Sequence, residues 1–136
     1  MRALFVDTAG WVMMADGSDP LHRKGCTARD EHLKRRGVLV TTDYVIDETL
    51  TLLRMRLGLD TARRFWWMIS ESARVELETI SPDRAHRARE WFFSWQDKDF
   101  SFTDCTSFVT MKDLGLVRTL TSDHHFVQAG FDIVPG

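Results

Sequence analysis

Four carboxylates of this 136-residue chain stand at the boundaries of predicted elements, three near their ends and one beside the apolar stripe of a helix. Asp7 follows the apolar residues 4–6, and Asp123 ends a later predicted strand. Glu48 lies at the border of the apolar stripe of a predicted helix, and Asp104 lies in the first turn of another. If these carboxylates converge, they repel one another unless a cation binds them. Carboxylate ligands without a zinc-type set of Cys and His suit Mg²⁺ or Mn²⁺, which predicts chemistry on phosphate.

Each of these carboxylates also has a structural interpretation. An aspartate that follows a strand often caps the next helix, as Asp7 and Asp123 could. The helix dipole favours a carboxylate in the first turn, where Thr103 as the N-cap residue would place Asp104. Glu48 would be half-buried, with its methylene groups packed against the protein and its carboxylate exposed to water. Considered together, however, the four positions favour a metal site.

The elements that must position these side chains alternate between strand and helix. The predicted strands cover residues 2–6, 38–41, 74–80, 117–121 and 131–134. The predicted helices cover residues 8–15, 22–36, 43–57 with Thr42 as N-cap, 61–70, 81–95 and 103–114, and a brief helix follows Asp123. Strands joined by helical crossovers predict an α/β fold with a mostly parallel sheet and helices on both faces. In such sheets ligands bind outside the carboxyl ends of the strands, where Asp7 would stand.

The length and composition limit the classes of protein to which this chain can belong. The length fits a single domain over residues 1–136, and 43% hydrophobic residues suffice for a core. The formal net charge of -2 argues against binding nucleic acid through overall positive charge, although a local basic patch or metal ions could still bind it. Two cysteines, Cys26 and Cys105, are too few for a disulfide framework or a structural zinc site. No apolar run approaches the roughly 20 residues of a membrane span, so we expect a cytoplasmic protein without a membrane segment.

Four blocks of the sequence carry a resemblance to a known family. They are LFVDTAGWV, TTDYVIDETLTLL, FSFTDCTSFVTMKDLGL and TLTSDHHFVQAGFDIVP, in that order along essentially the whole chain. They resemble the PIN domain family and, within it, the small bacterial toxins called VapC. The resemblance implies a three-layer α/β/α PIN-like fold with a central, mostly parallel sheet. It also implies a metal-dependent endoribonuclease whose products carry a 5′ phosphate and a 3′ hydroxyl.

The same resemblance implies the residues of the site. Asp7, Glu48, Asp104 and Asp123 match the catalytic acids that bind one or two Mg²⁺ or Mn²⁺ ions. Thr8 and Thr103 match polar neighbours that support the site. The pair His124 and His125 is not a core feature of the family pattern, and at least one of the two is expected at the surface or behind the ligands.

The resemblance further implies protein partners, namely a second copy of the chain in a homodimer and a cognate antitoxin that lies in the groove. Aromatic residues exceed what a small core needs, which favours a partner surface. They are Phe65, Trp66, Trp67, Trp91, Phe92, Phe93 and Trp95. Solvated helix faces account for most of the basic residues, and some of these residues could contact RNA phosphates. They are Arg23, Lys24, Lys34, Arg35, Arg36, Arg54, Arg56, Arg63, Arg64, Arg84, Arg87 and Arg89.

Other interpretations share part of this pattern. A PIN nuclease that processes or degrades RNA without an antitoxin carries the same acids. A catalytically silent PIN domain would act as a binding module, although the presence of all four acids argues against it. A phosphohydrolase of the haloacid dehalogenase type needs a second Asp two residues after Asp7, where Ala9 stands. A response-regulator receiver needs paired acidic residues in its first loop, which this chain lacks.

Overall fold

The computed structural model describes residues 2–136, which form five strands and seven helices. The strands are β1 (Ala3–Val6), β2 (Val38–Thr42), β3 (Val75–Glu78), β4 (Arg118–Leu120) and β5 (Asp132–Val134). The helices are α1 (Thr8–Ala15), α2 (His22–Lys34), α3 (Asp43–Leu57), α4 (Leu59–Glu71), α5 (Pro82–Ser94), α6 (Phe102–Asp113) and α7 (His125–Gln128).

The strands form one sheet in the order β3-β2-β1-β4-β5, and every neighbouring pair is parallel. From β1 the chain first moves outward to β2 and β3, and it then returns to the other side of β1 as β4 and β5. Right-handed crossovers therefore place α1 to α4 on one face and α5 to α7 on the other. The predicted three-layer α/β/α architecture is confirmed. The strand order reverses between β1 and β4, which is where open α/β sheets bind their ligands.

Burial of the central strands explains their composition. Residues of β2 are buried throughout, and in β1 only Ala3 is partly accessible. Strands covered on both faces carry continuous apolar runs instead of alternating patterns. On the α5–α7 side, an aromatic cluster packs edge to face around Phe108, which contacts Phe100 and Phe126 at centroid separations of 5.0 Å. These two layers hold the end of β1 in the middle of the molecule.

The first helix is fixed closely to the sheet by a glycine and by a buried hydroxyl. A β-carbon at Gly10 would lie only 2.0 Å from the carbonyl oxygen of Leu120, so this position requires glycine. The next residue, Trp11, donates from Nε1 to Thr41 Oγ1 at 3.1 Å, and Thr41 donates to the carbonyl of Val6 at 3.0 Å. These contacts determine the direction in which the chain leaves β1, and therefore where Asp7 lies.

Every predicted helix and strand is present, and the structure differs from the prediction only in where some of these elements begin and end. Thr42 caps α3 as predicted, because its Oγ1 accepts from the N–H of Val45 at 3.1 Å. Helix α4 begins at Leu59, earlier than predicted, directly after Gly58, which has a φ of 99°. Helix α2 ends at Lys34 and not at residue 36, because Arg36 has a left-handed φ of 59°. Within residues 2–136, no helix is both long and apolar enough to cross a membrane.

Candidate active site

An open cavity of about 310 Å³ lies beyond the carboxyl ends of β1 and β4. All six residues that the sequence singled out line it. They are Asp7, Thr8, Glu48, Thr103, Asp104 and Asp123. Asp7 leaves β1 and Asp123 follows β4, so the pairing of these two strands places their carboxylates on the same edge. Helices α3 and α6 bring Glu48 and Asp104 to the cavity from either side.

Asp7 is the most deeply buried acid of the cavity, with only 5% of its surface exposed. Its Oδ1 accepts from the N–H of Gly10 at 3.0 Å, so it also caps α1. Burial raises the pKa of Asp7 to about 8, against the lowering effect of the Gly10 N–H and the Thr121 hydroxyl. The negative charges of Asp123 and Asp104 raise this pKa further. The site therefore holds a carboxyl group that ionises readily only when positive charge arrives.

Asp104 lies in the first turn of α6, as predicted, but the cap was predicted wrongly. Ser101, and not Thr103, is the N-cap residue, because the helix begins one residue earlier than expected. Ser101 Oγ accepts from the N–H of Asp104 at 3.0 Å, and Asp104 Oδ2 accepts from the N–H of Ser101 at 3.1 Å. This reciprocal capping box holds the carboxylate in place. Burial raises the pKa of Asp104 to about 6, opposed by the hydrogen bond from the Ser101 N–H.

Asp123 and Asp104 meet at the imidazole of His125. The Nδ1 atom of His125 lies 3.0 Å from Asp123 Oδ1 and 3.4 Å from Asp104 Oδ2. Asp123 Oδ1 also accepts from the N–H of His125 at 2.9 Å, but the N-cap residue of the short helix α7 is His124, so Asp123 is not the helix cap that the sequence offered. One donor atom from each of these three residues lies within 4.8 Å of the others, the separation expected of ligands to one metal ion. The neighbouring His124 is exposed, as expected for at least one residue of the pair.

Glu48 lines the cavity, but it is exposed and not half-buried as predicted. Its helix buries Val45, Thr49 and Leu53, while the gap between α3 and α6 leaves the edge of this stripe open to solvent. Glu48 therefore needs no buried partner to compensate its charge. Arg56, two turns further along α3, lines the same cavity and brings a positive charge to its rim.

Two buried hydroxyl groups of the cavity lack protein partners. Thr8 Oγ1 and Ser107 Oγ have no hydrogen-bond partner among residues 2–136, and Ser107 is 1% exposed. Orphaned buried hydroxyls are costly unless a ligand, ion or water binds them. A hydrated divalent cation would satisfy both, and the carboxylates supply the oxygen ligands that Mg²⁺ and Mn²⁺ prefer. The donor set therefore fits such an ion.

Reasoning from the sequence missed four residues of this arrangement: Ser101, Ser107, Asp19 and the position of His125. The spacing of Ser101 and Asp104 is that of a capping box and could have identified the true cap. No sequence signal distinguishes Ser107 from the other small residues of α6. Asp19 reaches the cavity from the loop before α2.

Comparison with known proteins gives one close relative and a more distant structural likeness. No protein-family model matches the chain. The 23S rRNA-specific endonuclease VapC20 of Mycobacterium tuberculosis, present in two strains, is 32% identical over 128 residues, which cover 94% of this chain and 95% of the relative. The crystal structure of that protein, a sarcin-ricin loop cleaving toxin, matches with a TM-score of 0.87 and 30% identity over 94% of this chain and 95% of that one.

The more distant likeness is to FitAcB from Neisseria gonorrhoeae. The TM-score is 0.64 with 12% identity, and the match covers 96% of this chain and 95% of that one. At this level of identity the likeness shows that the fold is shared and nothing more.

Proposed function

The chain belongs to the VapC family of PIN-domain toxins, and on that premise we propose that it is a Mg²⁺- or Mn²⁺-dependent endoribonuclease, formed by one PIN domain over residues 1–136. The observation that carries the proposal is the convergence of Asp7, Glu48, Asp104 and Asp123 on one cavity at the point where the strand order reverses. The substrate class is a structured loop of ribosomal RNA, since the related VapC20 is named for 23S rRNA.

The proposed roles follow from the geometry of the site. Asp7, Glu48, Asp104 and Asp123 hold the metal, and their own repulsion favours its binding. A divalent cation held there would lower the pKa of an attacking water and offset charge that develops on the phosphodiester. Since no side chain has to form a covalent intermediate, the reaction is a direct hydrolysis by water.

The remaining residues of the cavity position the substrate. Arg56 is the cation of the cavity lining, and it would pair with a phosphate at the rim. The hydroxyls of Thr8 and Ser107 are free to donate to water or to a phosphate oxygen. Val12, Val45 and Leu52 form apolar walls that restrict the access of bulk water.

The toxin role also implies protein partners, which we propose to be a second copy of the chain and a cognate antitoxin. Exposed aromatic side chains support a partner surface, since Trp67 is 68% and Phe93 75% exposed. Phe65, by contrast, is buried in the core, where it packs against Trp11. The aromatic residues therefore divide between the core and the surface.

Cleavage of a synthetic sarcin-ricin loop RNA by the purified protein tests the proposed activity. We expect cleavage with Mg²⁺ or Mn²⁺ that leaves 5′-phosphate ends, and none with EDTA. Glu48→Gln should lower the rate at least 100-fold, because it removes one acid of the site. Its neighbour Asp47 is exposed and lies outside the cavity, so Asp47→Asn is the matched control and should cleave normally. Cleavage that persists in EDTA, or equal rates in the two variants, would refute the mechanism.

A further inference from the structure

A second cavity, of about 460 Å³, runs between α2 and the β4–β5 side of the sheet and is strongly basic. Five cationic side chains line it, whereas Glu31 is its one acidic lining residue. The five are Arg2, Arg23, Lys24, Arg35 and Arg118, and we call this cavity the basic groove. Positions 23, 24, 27, 28, 31 and 35 recur at helical spacing, so one face of α2 forms a wall of the groove.

The cations of the basic groove are not neutralised within the protein. In the part of the chain that the structure describes, none of the five takes part in an ion pair, whereas Arg63, Arg84 and Arg87 all do. The positive charges of the groove also affect the pKa of a buried neighbouring residue, His32. Burial lowers the pKa of His32, and the charges of Arg118 and Arg2 lower it further. Positive charge that is concentrated and unpaired on a chain of net charge -2 attracts anionic partners to this surface.

Two parts of the chain connect the basic groove with the active-site cavity. We call the latter the acidic cavity, because Asp7, Glu48, Asp104 and Asp123 line it. On one wall, Asp19 lines the acidic cavity, and its Oδ1 accepts from the N–H of Leu21 at 2.8 Å, two residues before Arg23, the first groove residue of α2. On the other wall, Val134 lines the groove, and its carbonyl accepts from the N–H of Thr121 at 3.0 Å, next to Ser122 of the acidic cavity. Residues that line the two cavities are therefore neighbours on both walls, which suits one RNA strand that contacts both.

We propose that the basic groove binds the phosphate backbone of the RNA substrate beyond the cleavage site. The proposal rests on the proposed function, since it takes the acidic cavity as the place of cleavage. An α-helix rises 1.5 Å per residue, so the wall from Arg23 to Arg35 is about 18 Å long and spans several phosphates. The side chains are long and exposed, which suits backbone contacts without reading of sequence. The acidic cavity would thus position the scissile bond while the groove supplies most of the affinity.

RNA binding in EDTA tests the groove without requiring cleavage. The probe is a fluorescein-labelled synthetic RNA that carries the sarcin-ricin loop and a single-stranded extension, with anisotropy measured from 50 to 300 mM salt. The groove variant combines Arg23→Gln, Lys24→Gln and Arg35→Gln. The matched control removes three exposed cations elsewhere, by Arg54→Gln, Arg63→Gln and Arg89→Gln. Thermal unfolding and circular dichroism establish that both variants are folded.

We expect the groove variant to bind at least tenfold more weakly at 50 mM salt, with the salt slope smaller by about 2, since each phosphate contact to a single strand contributes about 0.7. The control should stay within about twofold of the wild type. Equal losses in the two variants, or unchanged RNA binding in the groove variant, would overturn the proposal. Unchanged RNA binding combined with lost binding of an acidic polypeptide such as polyglutamate would overturn it in favour of a protein partner.

The same proteins separate failure of the groove from failure of the proposed nuclease. If the wild type cleaves RNA while the groove variant binds like the wild type, the groove proposal is wrong and the nuclease stands. If binding depends on the groove but no metal supports cleavage, the groove binds RNA, but neither the proposed nuclease nor a role for the groove in holding its substrate stands.

Discussion

The imidazole of His125 and the carboxylate of Asp104 meet beside the acidic cavity, with His125 Nδ1 3.4 Å from Asp104 Oδ2. The two residues belong to different helices, and Asp123 joins them at 3.0 Å from the same nitrogen. The edge of the His125 ring also packs against Phe100, with centroids 5.8 Å apart. A histidine outside the four predicted acids is therefore held where it can complete the site.

His125→Ala is expected to weaken Mn²⁺ binding by tenfold or more, because the substitution removes one of three closely spaced donor groups. Losses of this size, about 10- to 100-fold, accompany removal of groups that support metal ligands. Isothermal titration of Mn²⁺ measures the change directly. His124→Ala is the matched control, since His124 is exposed and outside the cavity, and its Mn²⁺ affinity should match the wild type. Equal affinity in the His125 variant would exclude the ring from the metal site.

Asp7→Asn should stabilise the metal-free protein near neutral pH while abolishing cleavage. The pKa of Asp7 is raised from 3.8 to about 8, which means that the folded state favours the protonated carboxyl. The stabilisation of the folded state by this group is therefore fully present below pH 3.8 and is lost as the pH rises through about 8. The Asp7→Asn variant has no ionisable group at this position, so it does not lose this stabilisation as the pH rises. Its free energy of unfolding should therefore exceed that of the wild type by on the order of 2 kcal/mol or more at pH 8, and by little at pH 4.

Urea unfolding in EDTA at the two pH values checks the sign of this effect. Added Mn²⁺ should reverse the order of stability, since only the wild type presents a full set of charged ligands. The exposed Asp47→Asn serves as the control; it keeps Asp7, so its free energy of unfolding should follow that of the wild type at both pH values. A variant less stable than the wild type at pH 8 in EDTA would contradict the raised pKa.

Ser101→Ala should destabilise the protein by about 1 kcal/mol, the usual cost of losing an N-cap side chain. In thermal unfolding this corresponds to a fall in Tm of roughly 3 to 5 °C for a domain of this size. Thr103→Ala is the matched control two residues away, and it should leave the Tm within about 1 °C because Thr103 does not cap the helix. A larger fall in Tm for Thr103→Ala than for Ser101→Ala would instead support Thr103 as the N-cap residue, as the sequence predicted.

Gly10→Ala should destabilise the protein by about 2 to 3 kcal/mol, because overpacking at a rigid contact costs this much. Its β-carbon would lie 2.0 Å from the Leu120 carbonyl oxygen and 2.9 Å from Val6 Cγ1, and the backbone oxygen cannot move away cheaply. Chemical denaturation measures the effect. At Gly17 a β-carbon meets no atom within 4 Å, so Gly17→Ala should be neutral or slightly stabilising. Equal stability of the two variants would show that α1 can shift on the sheet.

The sequence by itself determined the order and type of the elements, because apolar runs, caps and glycines are local signals. It also determined the main candidate site. Asp7 and Asp123 could be placed on the same edge since parallel strands end together, and Glu48 and Asp104 were selected by their positions on predicted helices. The family resemblance then matched all four to catalytic acids. The structural interpretation was correct for Asp7, which caps α1, and for the place of Asp104 in a first turn, where it belongs to a capping box. It was wrong for Asp123, because His124 is the N-cap residue of α7. Backbone hydrogen bonds and clustering coexist because one carboxylate oxygen can accept more than one hydrogen bond, as Asp104 Oδ2 and Asp123 Oδ1 both do.

Only the tertiary structure decided which side chains meet across the cavity. The contact of His125 with two acids, the exposure of Glu48 and the unpartnered hydroxyl of Ser107 all depend on how α3, α6 and α7 pack around the sheet. The basic groove likewise joins residues from the chain start, α2 and β4, which are distant in sequence. Local patterns determine the direction and ends of each element, whereas distances between elements arise from the packing of the whole core.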